Sequence, residues 1–216
     1  MLWGVWPPSP EKKRLRATLA GPPDSRDLGV SFKGRILQMT VTCDTAVAAI
    51  FLEEIRGTPP QRRMIIGLDT EWKTLDGGGF TTALLQLCVG TRVLVFQVLN
   101  AGGGDLLEVL KSFLLEEDHI FTGAHIENDV KQLLDDFGVT ISNPTDLQIV
   151  VPQAASRFEH LGEVLCLPHV RKPDADHRMW HVRDLGYLQV KYAAVDAYLS
   201  YEVANQLEVR DGYRFK

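Results

Sequence analysis

The sequence predicts an α/β protein: a mixed sheet of three antiparallel strands followed by parallel strands, with helices on both faces. Three observations carry that expectation. The apolar run in "IIGLDTEW" is followed by two more strand-like runs, "TALLQLCV" and "RVLVFQVL", parted by Gly90-Thr91. Strand, tight turn and strand read as an antiparallel hairpin. Beyond Gly104 the apolar period becomes helical, with Leu106, Leu107, Leu110, Phe113 and Leu114 on one stripe. Short strands and helices then alternate, as they do where helices join parallel strands.

Taken in order, residues 1–33 are rich in Pro, Gly and charge, include "AGPPDSRD", and read as a mobile extension. A single domain over 34–209 and a short tail over 210–216 complete the division. "RILQMTVT" alternates, placing Leu37, Met39 and Val41 on one face of a half-buried strand. Asp44 can cap a helix from Ala46 to Ile55, with Gly57 past its end. The "IIGLDTEW" strand follows the turn "GTPPQ". Asp105 caps the stripe beginning at Leu106, "HIFTG" is a short strand, and "IENDVKQLLDDFG" is a helix closed by Gly138. Helical stretches follow at Leu147–Ala155 and Glu159–Cys166. The polar loop "PHVRKPDADHRMWHVRDLG" leads to a last helix from about Leu188 to Leu207. The run Gly102 to Gly104 lacks a following Lys-Ser/Thr, so it is a turn and not a phosphate loop.

A chain of 216 residues that is 45% hydrophobic can bury one good core. Its net charge of -5 does not advertise a nucleic-acid binder, yet a metal-dependent enzyme must carry acids in its site and can confine its basic surface to one groove. Cys43, Cys88 and Cys166 are odd in number and lack C-x-x-C spacing, which argues against a disulfide framework or zinc knuckle and for a reducing compartment. No run approaches a membrane span, and the first residues lack the apolar core of a secretory signal. "KKRLR" reads either as a nuclear address or as part of a solvated tail.

The chemistry starts at Asp69 and Glu71. Side chains two apart on a strand share a face, so two carboxylates there repel each other unless a cation lies between them. The other reading is a strand that ends at Leu68 with both acids solvated. Asp129 lies in the first turn of a predicted helix, where an acid also complements the dipole. Tyr192 and Asp196 are four apart and share one face of the last helix. Four carboxylates drawn from one strand end and two helices are the inventory for two divalent cations about 3.5 to 4 Å apart, clamping a phosphodiester for in-line displacement. Carboxylate oxygens suit Mg²⁺ or Mn²⁺. Zinc on the histidines is the weaker idea, because His177 and His181, though four apart, fall in a loop.

At these residues a resemblance is plain. "IIGLDTEW", "GAHIENDVKQLLDDFG" and "QVKYAAVDAYLSYEV" resemble, in order, the three exonuclease motifs of the DEDD superfamily, the DnaQ-like exonucleases of RNase H-like fold. The hairpin "ALLQLCVGTRVLVFQVL" is similar to that of the Werner syndrome-like branch, and the match covers roughly residues 35 to 208. Tyr192-x-x-x-Asp196 has the tyrosine-type spacing, whereas the position five before Asp196 is Lys191 and not the histidine of the other type. The resemblance implies a 3′→5′ exonuclease releasing nucleoside 5′-monophosphates with two Mg²⁺ or Mn²⁺ ions. It implies that Asp69 bridges both metals, Glu71 and Asp196 complete the first site, Asp129 holds the second, and Tyr192 orients the attacking water. Leu68, Thr70, Trp72, His125 and Asn128 would contact the substrate, with Trp72 as core filler the alternative.

One departure concerns the Lys-Ser-x-x-Ser-x-Trp run of many relatives. Here the region reads "HVRKPDADHRMWHV", and Trp180 alone aligns. Residues Arg157 to Lys191 nevertheless hold six Lys/Arg and four histidines against five acids, a track for phosphates or a solvated loop. DNA is the favoured substrate. An RNase D-like exoribonuclease and an inactive nucleic-acid-binding scaffold are the alternatives. The nucleus is favoured over the cytoplasm, and a separate helicase is a candidate partner.

Overall fold

The computed structural model describes residues 25–56, 63–102, 106, 108–150 and 173–207. The expected cap at Asp105, the turn "GTPPQ", the helix Glu159–Cys166 and the basic run "KKRLR" lie outside the described residues. Strands β1 (Ser25–Phe32) and β2 (Arg35–Thr42) lead into helix α1 (Thr45–Arg56). Then come β3 (Met64–Thr74), β4 (Phe80–Val89) and β5 (Arg92–Gln97). Helix α2 (Glu108–Leu114), β6 (His119–Gly123), α3 (Ile126–Phe137), β7 (Pro144–Asp146), α4 (Leu147–Val150) and α5 (Tyr187–Gln206) follow. Seven strands form one sheet in the order β1-β2-β5-β4-β3-β6-β7. The β3–β4 and β4–β5 pairs are antiparallel, whereas β2–β5, β3–β6 and β6–β7 are parallel. This is the mixed α/β sheet expected.

Two elements differ from expectation. Residues 25–32, read as part of a mobile extension, form β1, paired antiparallel with β2 along its whole length. Its apolar content is thin, but Val30 and Phe32 are buried, so two side chains and a neighbouring strand's hydrogen bonds suffice. Strand β7 was not foreseen: three residues opening on a proline carry no period, and pairing with β6 makes it a strand. Asp44 caps α1 as expected, its Oδ1 accepting from Ala46 N at 2.7 Å. Gly138, at φ 66°, closes α3 by donating its N–H to Leu134 O.

Alternation along the strands gives the sheet two apolar faces. Ile66, Leu68, Leu85 and Phe96 pack under α1, α2 and α3 with Phe51, Phe113 and Leu133. Leu37, Met39, Val41 and Val95 pack on the other face under α5. From Gln189 to Ser200 only Lys191 is not buried, the sign of a helix set into a core. Gly67 permits this. A Cβ there would stand 2.0 Å from the Ala197 carbonyl oxygen and 2.6 Å from Tyr201 N. The glycine of "IIGLDTEW" thus lets α5 lie directly on β3, and brings the residue before Ala197, Asp196, to that strand.

Candidate active site

Strand β3 is where the site begins. Its parallel pairing with β6 runs from Met64↔His119 to Gly67↔Thr122 and goes no further. On the other side β4 continues alongside it, with a bulge between Glu71 and Trp72 that leaves Ala83 as the extra residue. Bulges sharpen twist and often lie beside functional sites. Past Gly67 the strand therefore has one open edge, and the two acids fall in that stretch. Asp69, Glu71 and Asp196 each offer a carboxylate oxygen, all within 4.8 Å of one another. Asp69 and Glu71 are half-buried, and Asp196 is 8% exposed. Three anionic oxygens so close repel unless a cation lies among them. The all-oxygen donor set fits a hard divalent ion.

Asp129 stands outside that cluster. After Gly123 the chain turns at His125, which takes the left-handed conformation (φ 58°, ψ 34°), and enters α3. Ile126, Asp129 and Leu133 share the buried face of that helix, so an acid occupies an apolar stripe. At 5% exposure it lies against β3, where its Oδ1 accepts a hydrogen bond from the Thr70 hydroxyl. Burial pushes the Asp129 carboxyl up to about 7; the hydroxyl and backbone amide of Thr70 pull the other way, and Asp146 nearby adds to the rise. Asp146 is itself held by Gln148 N at 2.8 Å and His125 N at 3.4 Å.

Tyr192 lies one turn before Asp196 on α5 and is 8% exposed. Its ring meets His177 edge-on, centroids 4.7 Å apart, and lies 5.7 Å from Trp180. The loop that supplies both rings is anchored through its carbonyls. Gln97 Nε2 donates to Val182 O and Arg183 O at 3.0 and 2.9 Å, and Gln189 Nε2 donates to Met179 O at 3.0 Å. With Ala175, Trp180 and Leu185 buried, residues 173–186 are a wall of the site and not merely a solvated loop.

The expected substrate contacts divide. Leu68 is fully buried in the core under α3 and presents no surface, because alternation turns it away from Asp69. Thr70 turns the same way, and its hydroxyl serves Asp129. Trp72 is half-buried, donates Nε1–H to Thr70 Oγ1 at 2.7 Å, and meets the Phe80 ring at a 47° tilt, 5.8 Å between centroids. His125 and Asn128 are exposed beside Asp129. Sequence reasoning missed His177 as a neighbour of Tyr192. Its spacing three before Trp180 was the available signal.

The geometry agrees with what the chain is similar to. A "3′-5′ exonuclease" of Arabidopsis thaliana is 26% identical over 189 residues, covering 82% of this chain and 65% of that protein. The human "exonuclease 3′-5′ domain-containing protein 2" is 27% identical over 211 residues, 88% of this chain and 34% of its own. The chain thus spans 65% or less of either relative's length. Among solved structures, Escherichia coli RNase D, an exoribonuclease, superposes with TM-score 0.62 at 22% identity, covering 78% of this chain and 44% of that one. A family model described as 3′-5′ exonuclease matches residues 38–210, which take in the acid cluster, Asp129 and Tyr192, and the chain belongs to that family.

Proposed function

We propose that this domain is a tyrosine-type, metal-dependent 3′→5′ exonuclease of the Werner-like kind, removing nucleoside 5′-monophosphates from a 3′ end, with DNA as the favoured substrate. The observation that carries the reading is the gathering of Asp69, Glu71 and Asp196 oxygens within 4.8 Å, with Tyr192 one turn earlier on the helix that brings Asp196. Those three acids would hold one divalent cation; Asp129, with Asp69 shared, would hold a second. Such a pair, when bound, lowers the pKa of an attacking water and stabilises charge on the departing 3′ oxygen. Tyr192, its ring packed on His177 and Trp180, would orient that water through its hydroxyl. Attack at phosphorus breaks the P–O3′ bond, leaving a 3′ hydroxyl on the shortened strand and the phosphate on the released nucleotide. Trp72, His125 and Asn128 line the approach of the terminal nucleotide.

The test uses 5′-labelled single strands of DNA and RNA of one sequence, with Mg²⁺ or Mn²⁺. A ladder shortening from the 3′ end, faster on DNA, is expected. Asp69→Ala should stay folded, hydrolyse nothing, and lose the rise in melting temperature that Mn²⁺ gives the wild type. A labelled mononucleotide as first product would reverse the polarity, and a faster RNA ladder would move the substrate to RNA. Hydrolysis by Asp69→Ala at the wild-type rate would remove the site.

A further inference from the structure

Trp72, Thr70 and Asp129 form one hydrogen-bonded chain across the open edge of β3. Trp72 Nε1–H donates to Thr70 Oγ1 at 2.7 Å, and the Thr70 hydroxyl donates to Asp129 Oδ1. The direction of the chain is set by chemistry. An indole N–H only donates, a carboxylate that holds a metal is ionised and only accepts, and a hydroxyl has one proton to give. With Trp72 filling one acceptor position on Thr70, the threonine proton is aimed at Asp129. Thr70 is 7% exposed and Asp129 5%, so neither side chain has ready access to water as a substitute. The Thr70 hydroxyl thereby anchors Asp129 Oδ1, and the backbone amide of Thr70 also serves that carboxylate. The anchor lies between Asp69 and Glu71, pointing to the opposite face of the same strand.

We infer that Thr70 is a positioning residue for Asp129, with Trp72 setting the direction of its hydroxyl, so that one strand fixes the separation between the three-acid cluster and the fourth acid. The inference rests on the exonuclease reading, and concerns how that site is kept in register. Thr70 makes no contact with the reacting atoms; it acts through Asp129. A buried hydrogen bond that orients a metal-binding carboxylate is worth about 10- to 100-fold in metal affinity or activity.

The experiment titrates Mn²⁺ into the full chain, with a nucleoside 5′-monophosphate present, and follows free Mn²⁺ by electron paramagnetic resonance. Thr70→Val keeps the side chain's shape and loses the hydroxyl. It should weaken one class of Mn²⁺ site by about 10- to 100-fold, leave the other unchanged, and slow single-turnover hydrolysis by a similar factor. Thr70→Ser should restore both to within about 3-fold, and Trp72→Phe should shift both in the same direction as Thr70→Val by less. In an Asp129→Asn background Thr70→Val should add nothing, because residues acting through one group are not additive. Wild-type Mn²⁺ affinity in folded Thr70→Val overturns the inference, as does a serine variant as weak as valine, or full additivity with Asp129→Asn. If the wild type binds Mn²⁺ but hydrolyses no strand, the exonuclease reading fails while the affinity comparison still decides the role of Thr70.

Discussion

Asp129 and Tyr192 are both buried polar residues on helices, yet their environments assign them different tests. Burial raises the Asp129 carboxyl to about 7, against about 4 for an unfolded chain. A carboxyl whose folded pKa is raised holds its proton in the fold. The stability it contributes is complete below about pH 4 and is lost as pH rises through about 7. Metal-free protein should therefore melt at falling temperature from about pH 5 to pH 8, and Asp129→Asn should flatten much of that slope. Thermal melts in chelator across a pH series check this; an unchanged slope in the variant would assign it to other groups. Tyr192→Phe removes a hydroxyl and no carboxylate. Its ring packing on His177 and Trp180 survives, so Mn²⁺ affinity and the melt should be nearly those of wild type. Single-turnover hydrolysis should fall by roughly 10- to 10³-fold, the scale of one positioning group at a transition state. Equal rates would leave Tyr192 a wall residue.

At the scale of elements, the site depends on how α5 seats on β3 and how α3 meets its open edge. Both contacts run through small residues. Gly67 admits the α5 backbone, and Gly123 lies so close to Leu68 O that a Cβ would come within 3.0 Å. Gly67→Ala must push a helix carbonyl away, and no side-chain rotation relieves a backbone clash. It should cost about 1–3 kcal/mol or more. Because Asp196 adjoins Ala197, it should weaken Mn²⁺ binding at the same time. Gly77→Ala, with nothing within 4 Å of its Cβ, is the control and should change neither. Melts and Mn²⁺ titrations of the two variants decide it. A Gly67→Ala protein with wild-type Mn²⁺ affinity would mean the helix seat does not set the acid geometry.

The molecule as a whole carries a net charge of -5 and, on the proposed reading, must hold a polyanion. The acids of the site converge at the β3 edge, where cations would neutralise them, and the flanking loop exposes Arg178 and Arg183 beside Asp174, Asp176 and Asp184. Arg178 follows His177, whose ring meets Tyr192, and its Nε lies 3.3 Å from Asp176 Oδ1. Each phosphate contact releases counterions, so strand binding should weaken as salt rises from about 50 to 200 mM. Arg178→Glu should lower affinity and flatten that dependence, with a stability change within about 0.5 kcal/mol because the side chain is exposed. Fluorescence anisotropy of a labelled single strand, in chelator to prevent cleavage, measures both. An unaltered salt slope in Arg178→Glu would place the phosphate track elsewhere.

How much of this was legible in the chain follows from the range of each interaction. The strands β2 to β6, the caps at Asp44 and Gly138, and the pairing of Asp69 with Glu71 and of Tyr192 with Asp196 rest on periodicity and turn chemistry, which act over a few residues. The sequence by itself therefore determined the α/β class, the order of most elements, and which acids were candidates. It could not reveal β1 or β7, whose residues are strands only because a neighbour pairs with them. Nor could it divide the four acids into a cluster of three and a fourth tied to Thr70 on the opposite face of β3. That division rests on residues 59 positions apart for Thr70 and Asp129 and 127 apart for Asp69 and Asp196, and the rings around Tyr192 come from a loop 12 to 15 positions before it. The tertiary structure alone decided them, because only packing brings such groups to within bonding distance.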